Sequence, residues 1–175
     1  MLVNNAGIWT RSEKARDAYR KIFEVNVVGS VSVTEAFLPL LLKFASAWKY
    51  HRTTSQSRTP RLIFVSSSVG SLSQASDPTS KYYNPLPAAN PYRASKAAIN
   101  MLVAQYHGHL KDQGVIVHGA DPGLCATDFT GDAESLRKRG AVEPEVGAER
   151  MARVVRGDRD GDVGRVCGEY GVSPW

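Results

Sequence analysis

A tyrosine and a lysine stand four positions apart in the segment Tyr92-Arg93-Ala94-Ser95-Lys96. Residues at this spacing share one face of a helix, so the two side chains can meet if the segment is helical. An ammonium held beside a phenol favours the phenolate and lowers the tyrosine pKa toward the working pH of a general acid or base. The pair therefore predicts proton-transfer chemistry, although the same spacing is also common on an ordinary exposed helix face.

Two further polar positions lie where a site or a structural link would need them. Ser67 follows the apolar run Arg61–Val65, so its hydroxyl is expected at the carboxyl end of a buried strand, either in a site or as a turn cap. Asn26 falls on the apolar stripe of a predicted helix. Because a buried amide without partners costs about 1 to 3 kcal/mol, Asn26 is predicted to be a structural link or part of a polar site.

The elements that must position these residues alternate between short apolar runs and helical periodicity. Strands are predicted at residues 1–3, 61–65, 115–120 and 164–170, and helices at residues 17–44, 91–110 and 145–155. This alternation predicts a single α/β domain, with a parallel sheet and helices on both of its faces. Ligands of such sheets bind at the carboxyl ends of the strands, where Asn4, Ser67 and Pro122 are expected. Pro39 is predicted to kink the first helix or mark its last part.

Composition and charge exclude several classes of protein. The chain has 175 residues, is 42% hydrophobic and carries a net charge of +5, which excludes disordered, collagen-like and disulfide-stapled chains. The excess charge lies in residues 43–61, a stretch without acids that is rich in Ser and Thr, so we expect a solvated loop and no nucleic-acid partner. Cys125 and Cys167 are predicted to be reduced thiols that hold no metal. We find neither a signal peptide nor an apolar run of about 18 residues, and expect a cytoplasmic protein without a membrane partner.

Taken together, five motifs in this order resemble the short-chain dehydrogenase/reductase family. The resemblance runs from Met1 to about Thr130, and the final Gly171-Val172-Ser173-Pro174-Trp175 is similar to the ends of some fungal reductases. The five motifs are Asn4-Asn5-Ala6-Gly7, Asn26, Ser67-Ser68-Val69-Gly70, Tyr92-x-x-x-Lys96 and Pro122-Gly123-x-x-x-Thr127.

The resemblance implies an NAD(P)-dependent oxidoreductase that interconverts a carbonyl and an alcohol on a small organic substrate by hydride transfer. It implies a doubly wound, Rossmann-like parallel sheet, of which this chain would lack the first βαβαβ portion. No Gly-x-x-x-Gly-x-Gly turn stands in the 175 residues, so the usual pyrophosphate site has no counterpart here. NADP is slightly favoured over NAD, although the residues that separate the two cofactors are missing.

The resemblance also implies a role for each matching residue. Tyr92 would donate a proton to the nascent alkoxide, and Lys96 would lower the Tyr92 pKa and hold the nicotinamide ribose. Ser67 would hydrogen-bond the substrate oxygen, and Asn26 would bend its helix and hold a water that connects Lys96 to solvent. The residues along the adenosine half of the cofactor would be Asn4, Ala6 and Gly7. Those around the nicotinamide would be Pro122, Gly123, Cys125 and Thr127.

This chain departs from the family pattern in the spacing before the tyrosine. Ser67 and Tyr92 stand 25 positions apart, more than is usual, so residues 71–90 carry an insertion. We expect a long loop here, which is either a substrate-facing wall containing Tyr82 and Tyr83 or a plain surface loop. Cys125 stands where the family usually has valine or isoleucine, and Asp121 where it often has asparagine.

Three functional interpretations remain open at the level of sequence. The first is a reductase whose sequence here is incomplete. The second is a fragment without catalysis that acts as an interaction or dimerisation piece, because the family commonly forms dimers or tetramers through the helices that carry Asn26 and Tyr92. The third, an epimerase or dehydratase of the related extended group, is disfavoured by the Asn4-to-Gly7 and Pro122-Gly123 motifs.

Overall fold

A five-stranded sheet forms the centre of the protein in a computed structural model that describes residues 1–10, 12, 14–50, 59–84 and 87–175. The strands follow the order β1-β2-β3-β4-β5, in which the first four are parallel and β5 runs antiparallel to β4. The predicted, mostly parallel sheet is confirmed. The strands are β1 Leu2–Asn4, β2 Arg61–Val65, β3 Ile116–Ala120, β4 Val166–Gly168 and β5 Gly171–Val172.

Helices connect the parallel strands in sequence, as βαβ units require. A π-helical segment, Glu24–Gly29, joins α1 to α2, so that the three form one continuous rod. The α-helices are α1 Ala15–Phe23, α2 Ser30–Tyr50, α3 Leu72–Ser76, α4 Asn90–Leu110, α5 Ala133–Lys138 and α6 Pro144–Arg156.

The hydrophobic core has one layer on each face of the sheet. On one face, Leu62 and Phe64 pack against Leu41 of α2 and Val103 of α4, and on the other Ile63 packs in a cluster that includes Val154 of α6. Alternate residues of β2 therefore serve opposite layers, so the apolar run Arg61–Val65 is buried on both faces, as the sequence predicted.

The first helical rod differs from its prediction. It begins at Ala15 and ends at Tyr50, and its regular α-helical turns are interrupted at Glu24–Gly29, not at Pro39, which lies inside α2. The rod continues beyond the predicted end because Leu41 and Ala45 are buried against the sheet. Packing thus supports helical turns that local sequence preferences would have ended earlier.

The predicted long loop at residues 71–90 and the predicted last strand at residues 164–170 both contain more secondary structure elements than expected. Residues 71–90 contain α3 and a 3-10 turn, Pro87–Ala89. The predicted last strand at residues 164–170 is a hairpin of two short strands, because Gly171 has a left-handed φ of 96° that reverses the chain.

Two expectations from the sequence need correction, the absence of a long apolar segment and the solvated loop at residues 43–61, while the absence of a membrane partner stays a prediction. The rod Ala15–Ala47 is long and apolar enough to cross a bilayer by length and composition, although 22% of its most apolar window is buried inside the protein, and core helices of other proteins meet the same criterion. Arg61 is not part of a solvated loop, since it lies in β2 and donates two hydrogen bonds to Asp160. Residues 51–58 of the basic stretch lie outside the described residues, and Lys43 is exposed on α2.

Candidate active site

The carboxyl ends of β2 and β3 meet α4 at one edge of the sheet. Val65 pairs with Ala120, and the next residue, Ser66, donates its N–H to the Ala120 carbonyl at 2.8 Å. The turn after β2 then lies directly on α4, because a Cβ at Gly70 would stand 2.5 Å from the Lys96 carbonyl carbon. This approach, which requires glycine, brings Ser67 to the helix of Tyr92 and Lys96.

Ser67 stands at the start of this turn with a half-buried side chain. Its backbone is extended, and its Oγ accepts from the Val69 N–H at 3.4 Å, capping the 3-10 turn Ser68–Gly70. The sequence left a site and a turn cap open, and the structure shows the cap. The capping bond uses a lone pair of the oxygen, so the hydroxyl proton can still be donated to a ligand.

Tyr92 and Lys96 lie one turn apart near the start of α4. Tyr92 follows Pro91, and its ring meets Phe129 edge-on with 5.9 Å between centroids. The Lys96 ammonium stands 5.5 Å from the centre of the Tyr92 ring and donates to the Val65 carbonyl at 2.8 Å. The helix therefore places both side chains on the face that meets the ends of β2 and β3.

Burial has a larger effect on the pKa values of Tyr92 and Lys96 than their contact with each other. Burial raises the pKa of Tyr92 well above its usual value, and the negative charge of Asp121 raises it further. Burial lowers the pKa of Lys96 to about 8, against an opposing effect of Asp121. Burial therefore outweighs the expected lowering of the Tyr92 pKa by Lys96, whose ammonium bonds the Val65 carbonyl, and that role of Lys96 stays a prediction.

Asn26 is the link between three segments of the site. It is 1% exposed in the π-helical segment, and its Oδ1 accepts from the Ile8 N–H at 2.7 Å. Its Nδ2 donates to the Ile8 carbonyl and to Ser95 Oγ, both at 3.1 Å, and Ser95 in turn donates to the Tyr92 carbonyl. Asn26 therefore acts as the structural link that the sequence allowed, and the regular α-helix is interrupted at the segment that contains it. Its role toward a water stays a prediction.

The segment after β1 is held by side chains of the first rod. The Asn4 amide is buried and donates to Thr34 Oγ1 of α2 at 2.8 Å, so this side chain stabilises the fold. Ala6 is exposed and Gly7 is half-buried. A Cβ at Gly7 would meet Asn26 Oδ1 at 3.5 Å, an ordinary contact, so no crowding within the described residues requires glycine here.

The loop after β3 lies beside Tyr92. It starts with a turn at Pro122-Gly123, in which Gly123 has a left-handed φ of 81°. Cys125 is half-buried, and its thiol contacts Gly147 so closely that a side chain at position 147 would not fit. Burial raises the pKa of the Cys125 thiol. Thr127 accepts from the Phe129 N–H at 3.4 Å and so begins the turn that carries Phe129 to Tyr92.

The whole described arrangement can be compared with known proteins. A family model described as short chain dehydrogenase matches residues 1–138 of this chain. The chain belongs to the short-chain dehydrogenase family. The family membership that the five sequence motifs indicated is therefore confirmed.

Individual relatives agree with this membership. The chain is 36% identical to the short-chain dehydrogenase/reductase tropE of Talaromyces stipitatus and 31% identical to eupG of a Phoma species, and it covers 66% of each relative while aligning over its whole length. Among solved structures, the NADPH-bound carbonyl reductase from chicken fatty liver superposes with a TM-score of 0.69 at 26% identity, over 99% of this chain and 65% of that one. The chain therefore spans about two thirds of the length of the relatives it matches.

Three residues of this short-chain dehydrogenase escaped the sequence analysis as site residues. They are Ser68, Asp121 and Phe129, of which Asp121 is 4% exposed and changes the pKa of both Tyr92 and Lys96. The signal for Asp121 was a carboxylate directly after a buried strand and before Pro122. For Phe129 the sequence indicates only that it begins an irregular segment, residues 129–143, which is expected to border a substrate pocket; its contact with Tyr92 depends on the path of the loop.

The insertion at residues 71–90 contacts the far end of the sheet. Lys81 lies between two aromatic rings, with its ammonium 3.6 Å from the centre of Tyr170 and 4.8 Å from that of Tyr82. Arg93 of α4 donates to the Tyr82 carbonyl at 2.7 Å, while Tyr83 is 41% exposed. These contacts fix the insertion across the β4–β5 turn, and its role as a substrate wall stays a prediction.

Proposed function

We propose that this short-chain dehydrogenase chain carries the proton-transfer and substrate half of an oxidoreductase that interconverts a carbonyl and an alcohol on a small organic molecule. The observation that carries the proposal is the convergence of Ser67, Tyr92 and Lys96 at one edge of the sheet, on segments that are distant in the sequence. Two hydroxyl donors near one ammonium suit a reaction in which negative charge develops on a single oxygen.

The side chains divide this chemistry between them. Tyr92 donates its phenolic proton to the oxygen of the forming alcohol, and its raised pKa keeps the phenol in the acid form that reduction needs. Ser67 donates its free hydroxyl proton to the same oxygen before the charge develops. Phe129 covers one edge of the Tyr92 ring and excludes water from that side.

The residues present fit the nicotinamide end of NADP or NAD, with NADP favoured. The bond to Val65 uses one of the three donors of the buried Lys96 ammonium, so the other two can be donated to ribose hydroxyls. When bound, the cofactor supplies or accepts the hydride. Pro122, Gly123, Cys125 and Thr127 would border the nicotinamide, while Ala6 and Gly7 leave room for the adenosine half.

The activity is tested on the complete gene product by following NADPH oxidation with a panel of ketones and quinones. We expect Tyr92→Phe to reduce kcat about 100-fold to 10,000-fold, because a general acid contributes that much. Tyr19→Phe is the matched control, since Tyr19 is exposed on α1, and we expect it to keep wild-type turnover. Wild-type turnover in Tyr92→Phe would show that Tyr92 is not the acid.

A second candidate is that these 175 residues alone bind cofactor too weakly for catalysis and act as an association piece. The observation in its favour is that they contain no Gly-x-x-x-Gly-x-Gly turn for the pyrophosphate. We expect this chain to bind NADPH at least about tenfold more weakly than a complete relative, measured by fluorescence titration. Micromolar affinity of the 175-residue chain would contradict this expectation.

A further inference from the structure

A buried polar cluster lies beneath the serine turn and takes no part in the proposed proton transfer. It consists of Ser68, Asp121 and Ser173, which are 6%, 4% and 7% exposed. They come from the turn after β2, the end of β3 and the segment after β5. A carboxylate is almost never buried this deeply unless partners satisfy it, so the contacts of Asp121 identify what the cluster does.

Both oxygens of Asp121 accept hydrogen bonds from backbone N–H groups. Oδ2 accepts from the Ser68 N–H and from the Ser68 hydroxyl, each at 2.6 Å, and Oδ1 accepts from the Gly123 N–H at 2.8 Å. Because the Ser68 proton goes to the carboxylate, the Ser173 hydroxyl donates to Ser68 Oγ, at 2.8 Å. An asparagine could not accept all of these bonds, since its NH2 group would face one of the two backbone N–H donors.

These bonds join the segments that border the proposed site. Ser68 is the neighbour of Ser67, and Gly123 is the neighbour of Pro122, so one carboxylate fixes both turns. The Ser173 N–H donates to the Val166 carbonyl, which anchors the third member of the cluster on β4. On the basis of the proposed function, we propose that Asp121 is a positioning residue, which holds the serine turn, the Pro122-Gly123 turn and the segment after β5 as one unit.

The charge of Asp121 gives this role a signature that a purely structural residue would lack. Asp121 opposes the effect of burial on the Lys96 pKa and adds to it on the Tyr92 pKa. Among the described residues, two further ionisable groups lie near Asp121. Asp121 also raises the pKa of Cys125, and Arg150 of α6 donates to the Pro122 carbonyl and pairs with Glu169. Loss of the Asp121 charge must therefore become visible at Lys96.

The test compares Asp121→Asn with Ser173→Ala and Asp128→Asn in the 175-residue chain, without cofactor or substrate. The Lys96 pKa is measured from the NMR shift of its 13Cε, and local stability from amide hydrogen exchange at Ser68 and Gly123. In Asp121→Asn we expect the Lys96 pKa to fall, because the negative charge that opposes the effect of burial is lost, and both amides to exchange at least about tenfold faster. Asp128→Asn removes an exposed carboxylate from the same loop and should change neither.

Ser173→Ala separates the charge from the packing. It removes the hydroxyl donor to Ser68 without changing a charge, so we expect faster exchange at Ser68 and an unchanged Lys96 pKa. A wild-type Lys96 pKa in Asp121→Asn, or an equal change in Asp128→Asn or Ser173→Ala, would overturn the role of Asp121. If Asp121→Asn does not fold, amide hydrogen exchange in the wild type decides: the Ser68 and Gly123 amides must be protected together, and fast exchange at either one overturns the inference.

The result is independent of the reductase assay. If the complete protein reduces no carbonyl while the cluster behaves as expected, the proposed function fails and Asp121 remains the structural link of these turns. If the complete protein is a reductase while Asp121→Asn leaves Lys96 and both amides unchanged, the inference about Asp121 fails alone.

Discussion

At the scale of single residues, burial shifts the pKa values of Tyr92 and Lys96 in opposite directions. Burial raises the Tyr92 pKa and lowers the Lys96 pKa to about 8, because in each case the neutral form is easier to bury than the charged form. The lysine compensates with a hydrogen bond to the Val65 carbonyl. Under the proposed function, a bound ribose and substrate would supply new partners to both groups.

His118 offers a pH-dependent prediction at the same scale. The side chain is 0% exposed in β3, its Nε2 stands 3.6 Å from Asp160 Oδ1, and burial lowers its pKa below the ordinary value of 6.5. The unfolded chain binds this proton more readily than the folded one, so stability is full above pH 6.5 and falls as the pH drops below it.

The measurement is urea unfolding at a series of pH values between about 5 and 8. We expect His118→Gln to weaken the acid-side loss of stability, while His109→Gln, at an exposed position, keeps it. An identical pH dependence in wild type and His118→Gln would contradict the prediction.

At the scale of the secondary-structure elements, Ser67 is positioned by the close approach of the turn Ser68–Gly70 to α4. The turn Ser68–Gly70 rests on the backbone of α4, and the distance at Gly70 leaves no room for a side chain. Asn26 provides a second link between elements, because its amide joins the π-helical segment to Ile8 and to Ser95 of α4. These two links explain how residues from three elements reach one edge of the sheet.

Gly70→Ala tests the first of these links. The added Cβ would overlap backbone atoms of α4, so we expect a loss of about 1 to 3 kcal/mol in the free energy of unfolding. Gly108→Ala, within α4, is the matched control. No atom lies within 4 Å of its Cβ position, and alanine is a better helix former, so this variant should gain about 0.5 to 1 kcal/mol.

Chemical denaturation of the two variants gives both free energies in one experiment. Equal stabilities of Gly70→Ala and wild type would mean that the turn moves away from α4 without cost. The proposed position of Ser67 would then have to be abandoned.

An exposed apolar stripe on the first rod is the main unexplained surface at the scale of the whole molecule. Its side chains follow spacings of three and four residues along α2, and each is between 43% and 59% exposed. Exposed apolar stripes of this kind mark association surfaces. The stripe consists of Val33, Phe37, Leu40 and Phe44.

We propose that this stripe pairs two copies of the chain as a homodimer, with a homotetramer as the larger alternative. Phe37→Asp places a charge within the stripe and should convert the assembly to a monomer in sedimentation velocity. Leu72→Asp is the control, because Leu72 is 72% exposed on α3, outside the stripe, and should leave the assembly intact. A monomeric wild-type chain, or a dimer in Phe37→Asp, would contradict the pairing.

Several features of this protein could be predicted from the sequence because they depend on local patterns. The buried strand Arg61–Val65 contains four consecutive apolar residues, and α4 follows a clear helical periodicity after Pro91. The order of the motifs identified the family, and the alternation of strands and helices implied that Ser67 and Tyr92 approach each other at the carboxyl ends of the strands.

The tertiary structure decided the features that depend on which distant groups meet. It set the direction of the Lys96 ammonium toward Val65, the contact of Phe129 with Tyr92 and the burial of Asp121 among backbone donors. It also extended the first rod to Tyr50 and placed its interruption at Glu24–Gly29. Periodicity reports which face of an element is apolar, whereas pKa values, caps and helix ends follow from desolvation and from partners that only the folded chain brings together.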